Sequence, residues 1–151
     1  MKTLKIPLIK DGTVIDHISA GNAMKVLDIL RIPQTLDSVV SVAMNVRGKL
    51  GKKDIVKIEN RELARKEVDT IALFAPRATI NIIRDYKVVN KHRVTLPNEL
   101  IGIATCPNPT CISNRMEPVE SKFIVIDKQL PRIKCYYCER EPDDIAEKII
   151  S

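Results

Sequence analysis

CPNPTCISNRMEPVESKFIVIDKQLPRIKCYYC, residues 106–138, holds all four cysteines of the 151-residue chain, spaced C-x4-C, then 23 residues, then C-x2-C. Two short loops carrying two thiols each can grip opposite sides of one tetrahedral ion, and the segment between them is long enough for a strand or two and a turn. Thiolates stand about 2.3 Å from a bound Zn²⁺, and no cysteine is left over. Pro107 and Pro109 stiffen the first loop, and the short CYYC turn forms the second. Two disulfides or four buried free thiols are the alternatives. Residues 1–20 show no long apolar run leading to a small-residue cleavage site, which argues against a secreted disulfide protein and for the cytoplasm. The stretch therefore reads as one structural zinc per chain, held by Cys106, Cys111, Cys135 and Cys138. Four thiolates leave no coordination position for water or substrate, so the metal holds a fold together and does not catalyse.

Around the cysteines, IGIAT (101–105) leads into the first loop, and KFIVI (122–126) and RIK (132–134) read as strands of a small domain. Upstream, Pro97 and Asn98 mark a boundary. ATINIIRDYKVVN (78–90) reads as a long strand, with a shorter one around HRVTL (92–96). Val68, Ile71, Ala72 and Ala75 repeat at helical spacing over about 67–75, and Pro76 stops that helix. SVVSVAMNV (38–46) and IVKIEN (55–60) read as strands of a hairpin joined by RGKLGKKD (47–54), a basic, glycine-punctuated loop. Val40, Val42, Met44 and Val46 share one face of the earlier strand, which is expected to be core or a dimer surface.

Ala23, Val26, Leu27 and Leu30 predict a short helix over 22–31, with Asn22 as its N-cap and Pro33 beyond its end. TLKIPLI (3–9) reads as a first strand, placed at an edge or bulge by Pro7. Asp11-Gly12 is a turn signal, and VIDHI (14–18) is extended or turning chain. Strand, helix, strand, strand, helix, strand is the ferredoxin-like split βαβ order, with 92–96 as an extra edge strand. The expected fold class is α+β. An N-terminal ferredoxin-like antiparallel sheet with two helices occupies 1–97, and a small C-terminal all-β zinc-binding domain occupies 101–151.

The net charge of +6 is unevenly divided. Residues 1–100 carry 18 basic against 11 acidic side chains, whereas residues 101–151 carry 7 against 8. An anionic ligand is therefore to be sought in the first two-thirds. No 18-residue apolar run suggests a membrane span. Two Phe, three Tyr and no Trp are too few to stack a run of single-stranded bases.

Catalysis has little to work with. There are two histidines, His17 and His92, no G-x-S-x-G or H-E-x-x-H, and no thiol beyond the four already assigned. Anion binding has more support: Lys52, Lys53 and Lys57 sit in and just beyond the hairpin loop, and Lys91 and Arg93 follow the long strand. In a ferredoxin-like sheet these can converge beside VIDHI, where three or four cations and the His17 imidazole suit a triphosphate. No G-x-x-x-x-G-K-[ST] is present, so the backbone cradle of that loop is not indicated. Each of these lysines taken alone reads as solvated surface charge, and His17 alone as a hydrogen-bonded structural imidazole.

GTVIDHI (12–18), GKKDIVKIEN (51–60), ALFAPRATINII (72–83), VVNKHR (88–93), CPNPTCIS (106–113), EPV (117–119) and KCYYCE (134–139), in this order, closely resemble the regulatory chains of aspartate carbamoyltransferase. The resemblance covers nearly the whole length. It implies an allosteric N-terminal domain that binds CTP or ATP and a zinc domain that grips the catalytic chain, in an assembly of two catalytic trimers and three regulatory-chain homodimers serving pyrimidine biosynthesis. Carried onto this sequence, it implies Asp16, His17, Lys57 and Lys91 at the nucleotide. It also implies Ile9, Val14, Ile55, Asn81, Ile83, Tyr86 and Val88 as walls for base and sugar, and Asn108 and Glu139 facing the catalytic chain. Asn90 stands where some members have glycine, and Thr110 where some have asparagine. The competing reading is a zinc-ribbon nucleic-acid-binding protein, suggested by a pI near 9.2; the basic surplus, however, lies outside the cysteine segment. A stand-alone nucleotide sensor is a third.

Overall fold

The computed structural model describes residues 8–32, 38–49, 51–114, 119–128 and 132–142, and the chain divides into two units, 1–94 and 95–151. Gly12 opens the first strand, β1 (Gly12–Ser19), at φ 144°, where a side-chain carbon would run into the carbonyl oxygen of Ile58. Only glycine fits so close to the neighbouring strand. There follow α1 (Ala23–Ile29), β2 (Val40–Gly48), β3 (Gly51–Glu59), α2 (Arg65–Phe74), β4 (Thr79–Arg84) and β5 (Lys87–Arg93). They form one sheet in the order β2-β3-β1-β4-β5, with every neighbouring pair antiparallel. This is the expected ferredoxin-like arrangement, with β5 as the added edge strand.

The core follows from strand alternation. Ile15 and Ile18 of β1, Val56 and Ile58 of β3 and Ile80 of β4 are buried together with Val26 and Leu30 at α1 and Ile71 and Ala72 of α2. Their alternate neighbours point to the other face, away from this core.

Three local expectations change. The long strand over 78–90 is instead a hairpin: Asp85 and Tyr86 both take left-handed conformations (φ 51° and 65°), and Arg84 pairs with Lys87. Asp-Tyr is a poor turn signal beside Asn-Gly; the turn is held from outside, Asp85 N–H donating to the Asp11 carboxylate (3.1 Å) and Tyr86 N–H to the Lys10 carbonyl (2.9 Å). The edge strand is therefore 87–93 rather than 92–96. The loop expected over 47–54 shrinks to the turn between Gly48 and Gly51, which pair directly, so Lys52 and Lys53 lie on a strand. Asn22 precedes α1 but its side chain does not cap it, donating instead to the Phe74 carbonyl (2.8 Å). The strand expected over 3–9 lies largely outside the described residues; Leu8 and Ile9, at its end, are not in a strand.

The second unit is a three-stranded antiparallel sheet, β6 (Glu99–Ile101), β7 (Lys122–Asp127) and β8 (Arg132–Cys135), in that order. Leu100, Phe123 and Ile133 make its apolar centre. It is a separate all-β unit, as expected, and the cysteines sit on it.

Candidate functional site

The pairing register places the proposed effector residues. Lys57 of β3, Val14 of β1, Asn81 of β4 and Lys91 of β5 are directly opposite one another, so they form one row across four strands. Directly paired residues of an antiparallel sheet share a face, and this is the face opposite the Ile15–Val56–Ile80 core. The Asn81 amide donates to the Val14 carbonyl (3.3 Å), which fixes it in that row. Partial burial holds the Lys57 ammonium below the usual lysine range, against the opposing pull of Asp16.

Two residues along β1 in one direction lies the row Gly12–Ile83–Val88, with the exposed Tyr86 in the turn beyond it. Ile9, buried, enters from the segment before β1. Two residues in the other direction lies the row Asp16–Thr79–Arg93. There β1 bulges: His17 takes φ 57° between the paired Ile15 and Ile18, which turns its ring to Thr79 (Nδ1 to Oγ1, 3.1 Å). Asp16 receives Lys53 (Nζ to Oδ1, 3.0 Å). Ile55 faces β2 through its pairing with Ala43. The outer face thus grades from apolar at the Ile83 end, through the two lysines, to a cluster of cations.

That cationic end opens into a cleft of about 840 Å³ lined by His17, Lys49, Lys52, Lys53, Arg77 and Arg93, together with Thr79 and backbone of residues 18–20 and the β2–β3 turn. Among the described residues no carboxylate lines it, although Asp16 pairs with the lining Lys53. Lys49 was marked only as part of the basic loop over 47–54, and Arg77 and Thr79 were not singled out at all. Arg77 and Lys49 are far apart along the chain and meet only because β4 starts beside the end of β1, where the β2–β3 turn also arrives.

In the second unit, Cys106 and Cys111 come from the loop after β6, Cys135 ends β8, and Cys138 closes the turn after it. The four sulfurs lie within 4.8 Å of one another, with Cys106–Cys138 at 3.5 Å and Cys111–Cys135 at 3.6 Å. These distances are far beyond the roughly 2.05 Å of a disulfide and bracket the roughly 3.8 Å edge of a thiolate tetrahedron with 2.3 Å bonds. The donor set fits one tetrahedral metal ion. The first loop is braced internally: Asn114 Nδ2 donates to the carbonyls of Cys106 (2.8 Å) and Asn108 (2.7 Å), and Cys111 N–H to that of Asn108 (3.0 Å).

The thiols are electrostatically unequal. Desolvation pushes Cys106 and Cys135 up. At Cys138 desolvation is outweighed by hydrogen bonds from Arg140 N–H, Cys106 and Asn108, which bring it down to about 7. Asn108 and Glu139, expected to face a partner, flank these loops. The Asn108 carbonyl oxygen Oδ1 accepts from Thr110 N–H (3.2 Å) and Oγ1 (2.9 Å), and Glu139 is exposed with φ 63°.

Residues 4–95 match the family of aspartate carbamoyltransferase regulatory chain allosteric domains, and residues 98–148 the metal binding domain of the same regulatory chain. The chain belongs to this family. The regulatory chain of Methanothermobacter thermautotrophicus is 57% identical over 148 residues, covering 96% of this chain and 94% of that one. That of Methanothrix thermoacetophila is 52% identical over 151 residues, 99% and 98% of the two chains, and that of Pyrococcus abyssi 51% identical over 146 residues, 95% of each. As a regulatory chain it is the non-catalytic kind of subunit, and the four-cysteine cluster falls inside its metal binding domain. Among the described residues of this regulatory chain no helix is long and apolar enough to cross a membrane.

Proposed function

We propose that the chain is the allosteric subunit of a cytoplasmic aspartate carbamoyltransferase hetero-oligomer, taking CTP and ATP on the outer face of its five-stranded sheet and contacting catalytic chains through a zinc-bearing unit. What supports this above all is the gradient along that face. Ile9, Ile83, Tyr86 and Val88 offer apolar surface for a base at one end, Lys57 and Lys91 flank the middle, and His17, Lys53 and Arg93 gather at the other. A nucleoside triphosphate has the same order: flat apolar base, sugar, then negative charge. Rows two residues apart are about 7 Å from each other, so the ligand would span three of them. Asp16 holds Lys53 in place and is near enough to Lys57 to raise its affinity for a proton.

In the second unit Cys106, Cys111, Cys135 and Cys138 would hold zinc, the usual occupant of a tetrahedral four-thiolate site along with iron. When bound, the ion supplies the four bonds that tie the two loops together and has no open position for chemistry. Asn108 and Glu139, on those loops, would face the catalytic chain. Domain limits of 1–97 and 101–151 are proposed for these two roles. The β2 edge, with Val42 and Met44 exposed in the single chain, is not core and would be the surface of the regulatory dimer.

Effector binding would bias catalytic trimers between quaternary states, and linkage requires that substrate analogues on the catalytic chain change effector affinity by the same factor. Two opposing nucleotides in one pocket need different contacts in the two states. The test is co-purification of the tagged chain with carbamoyltransferase trimers, combined with calorimetry of CTP and ATP. Trimer capture that is lost on treatment with a mercurial, and one effector site per chain, are expected. A chain that binds nucleotide but passes the trimers by is a stand-alone sensor; salt-sensitive binding of duplex or single-stranded nucleic acid at physiological salt would favour the zinc-ribbon reading.

A further inference from the structure

The cationic end of the outer face carries more positive charge than a triphosphate needs. A fully ionised nucleoside triphosphate carries a charge near −4. Lys57 and Lys91 in the middle row, with Arg93 in the next and Lys53 and His17 beside Asp16, already face that much charge, less the one carboxylate of Asp16. Lys49, Lys52 and Arg77 line the cleft with Lys53, Arg93 and His17 and are exposed, Lys57 and Lys91 lie outside its lining, and among the described residues no acidic side chain lines it. Their ammonium and guanidinium groups come from two separate elements, the β2–β3 turn with the start of β3, and the segment leading into β4. Residues 18–20, Gly48 and Gly51 complete the lining. Among the described residues other than its chain neighbours, nothing within 4 Å would meet a side-chain carbon at Gly51.

We propose that Lys49, Lys52 and Arg77 form an extended subsite that binds a linear phosphate chain beyond its third group, so that the effector site discriminates nucleotides by phosphate number. This rests on the reading of the outer face as a nucleotide site and adds the ligand class: nucleoside polyphosphates with four or more phosphates. The recognising chemistry is that of any linear polyphosphate, so a free inorganic chain shares it. The apolar end then decides between the two sources, because only a nucleoside reaches Ile83 and Tyr86.

The experiment is calorimetry on the full-length chain at constant ionic strength with adenosine 5′-triphosphate, adenosine 5′-tetraphosphate and inorganic tetraphosphate. Exposed charge pairs contribute modestly one at a time, and three acting together should make the nucleoside tetraphosphate bind at least about fivefold more tightly than the triphosphate. That gain should shrink as salt rises. In the double variant Lys49→Gln/Arg77→Gln the gain should disappear while triphosphate affinity changes less than about twofold. Equal affinity for the two nucleotides in the unaltered chain, or a gain that survives the double variant, overturns the proposal. If neither nucleotide binds, the nucleotide reading itself has failed. Inorganic tetraphosphate then decides the subsite: binding that the double variant loses sustains a polyphosphate site, and no binding removes it.

Discussion

Asp54 does from the middle of β3 what Asn22 does not do at the end of α1. Its carboxylate, fully buried, accepts from the N–H groups of Gly21 (2.9 Å) and Ala23 (3.1 Å) through one oxygen and of Asn45 (2.9 Å) through the other. One side chain thereby satisfies the start of α1 and the left-handed bulge of β2 at Asn45 (φ 59°) together. Asp54→Ala orphans all three donors and should cost about 2–4 kcal/mol, read as a lower midpoint in denaturant unfolding. A loss under about 1 kcal/mol would show that water or a local shift replaces it. Lys57 is the residue on which the proposed effector site can be tested. Its ammonium is held below the usual range by partial burial, and a phosphate beside it would relieve that penalty. Lys57→Ala should weaken CTP and ATP together by about tenfold, the size of one charge-assisted contact, with metal content and assembly unchanged. Unaltered calorimetric affinity for both would remove Lys57 from the site.

At the scale of elements, the β4–β5 hairpin shows where local sequence loses to context. Asp85 and Tyr86 both adopt left-handed backbone, which costs a non-glycine residue about 1 kcal/mol or more, and Asn-Gly is the pair such a turn prefers. Asp85→Asn/Tyr86→Gly should therefore raise unfolding free energy by about 1 kcal/mol while lowering effector affinity, because the Tyr86 ring at the base end is lost. Gain of stability without loss of affinity would place Tyr86 outside the pocket. The same turn marks the limit of legibility in the sequence. β2, β3, α1 and α2 could be read because their apolar residues alternate or recur at helical spacing, and their order implied the split βαβ sheet. The break at 85–86 could not, since no glycine announces it and its hydrogen bonds come from Lys10 and Asp11, far back in the chain. Nor could the bulges at His17 and Asn45, which need the partner strand. The cysteine cluster was legible from spacing alone, while the row Lys57–Val14–Asn81–Lys91 is a property of sheet register: charge pattern pointed to Lys57 and Lys91 for an anion, and the family resemblance was needed to nominate Val14 and Asn81. Arg77 escaped both routes.

For the whole molecule, the two units differ in what holds them. The first buries Ile15, Ile18, Val56, Ile58, Ile80 and their helical partners without help. The second has three short strands around Leu100, Phe123 and Ile133, and a core of that size seldom sustains a domain of about 50 residues by itself. Beyond Leu96, Ile103 and Ala104, which are also buried, its centre among the described residues is the four sulfurs, so the binding energy of the ion is folding energy there. Stripping the metal with a chelator should release β6, β7 and β8 to rapid hydrogen exchange while the amides of β1, β3 and β4 stay protected. Tyr136 and Tyr137, packed edge to face with ring centroids 5.2 Å apart, should lose their near-ultraviolet dichroism in the same step. The pH dependence has a definite sign. Desolvation pushes Cys106 and Cys135 up in the metal-free protein, while at Cys111 and Cys138 hydrogen bonds outweigh it and bring Cys138 to about 7. Loading must therefore expel protons, and affinity for the ion should rise with pH and fall in acid. A chromophoric chelator competing at pH 8 and at pH 6 should extract less metal at the higher value. Equal extraction at both, or protected amides in β7 after complete removal, would mean that the unit is already closed without its ion and that the cysteines are occupants of a fold made elsewhere.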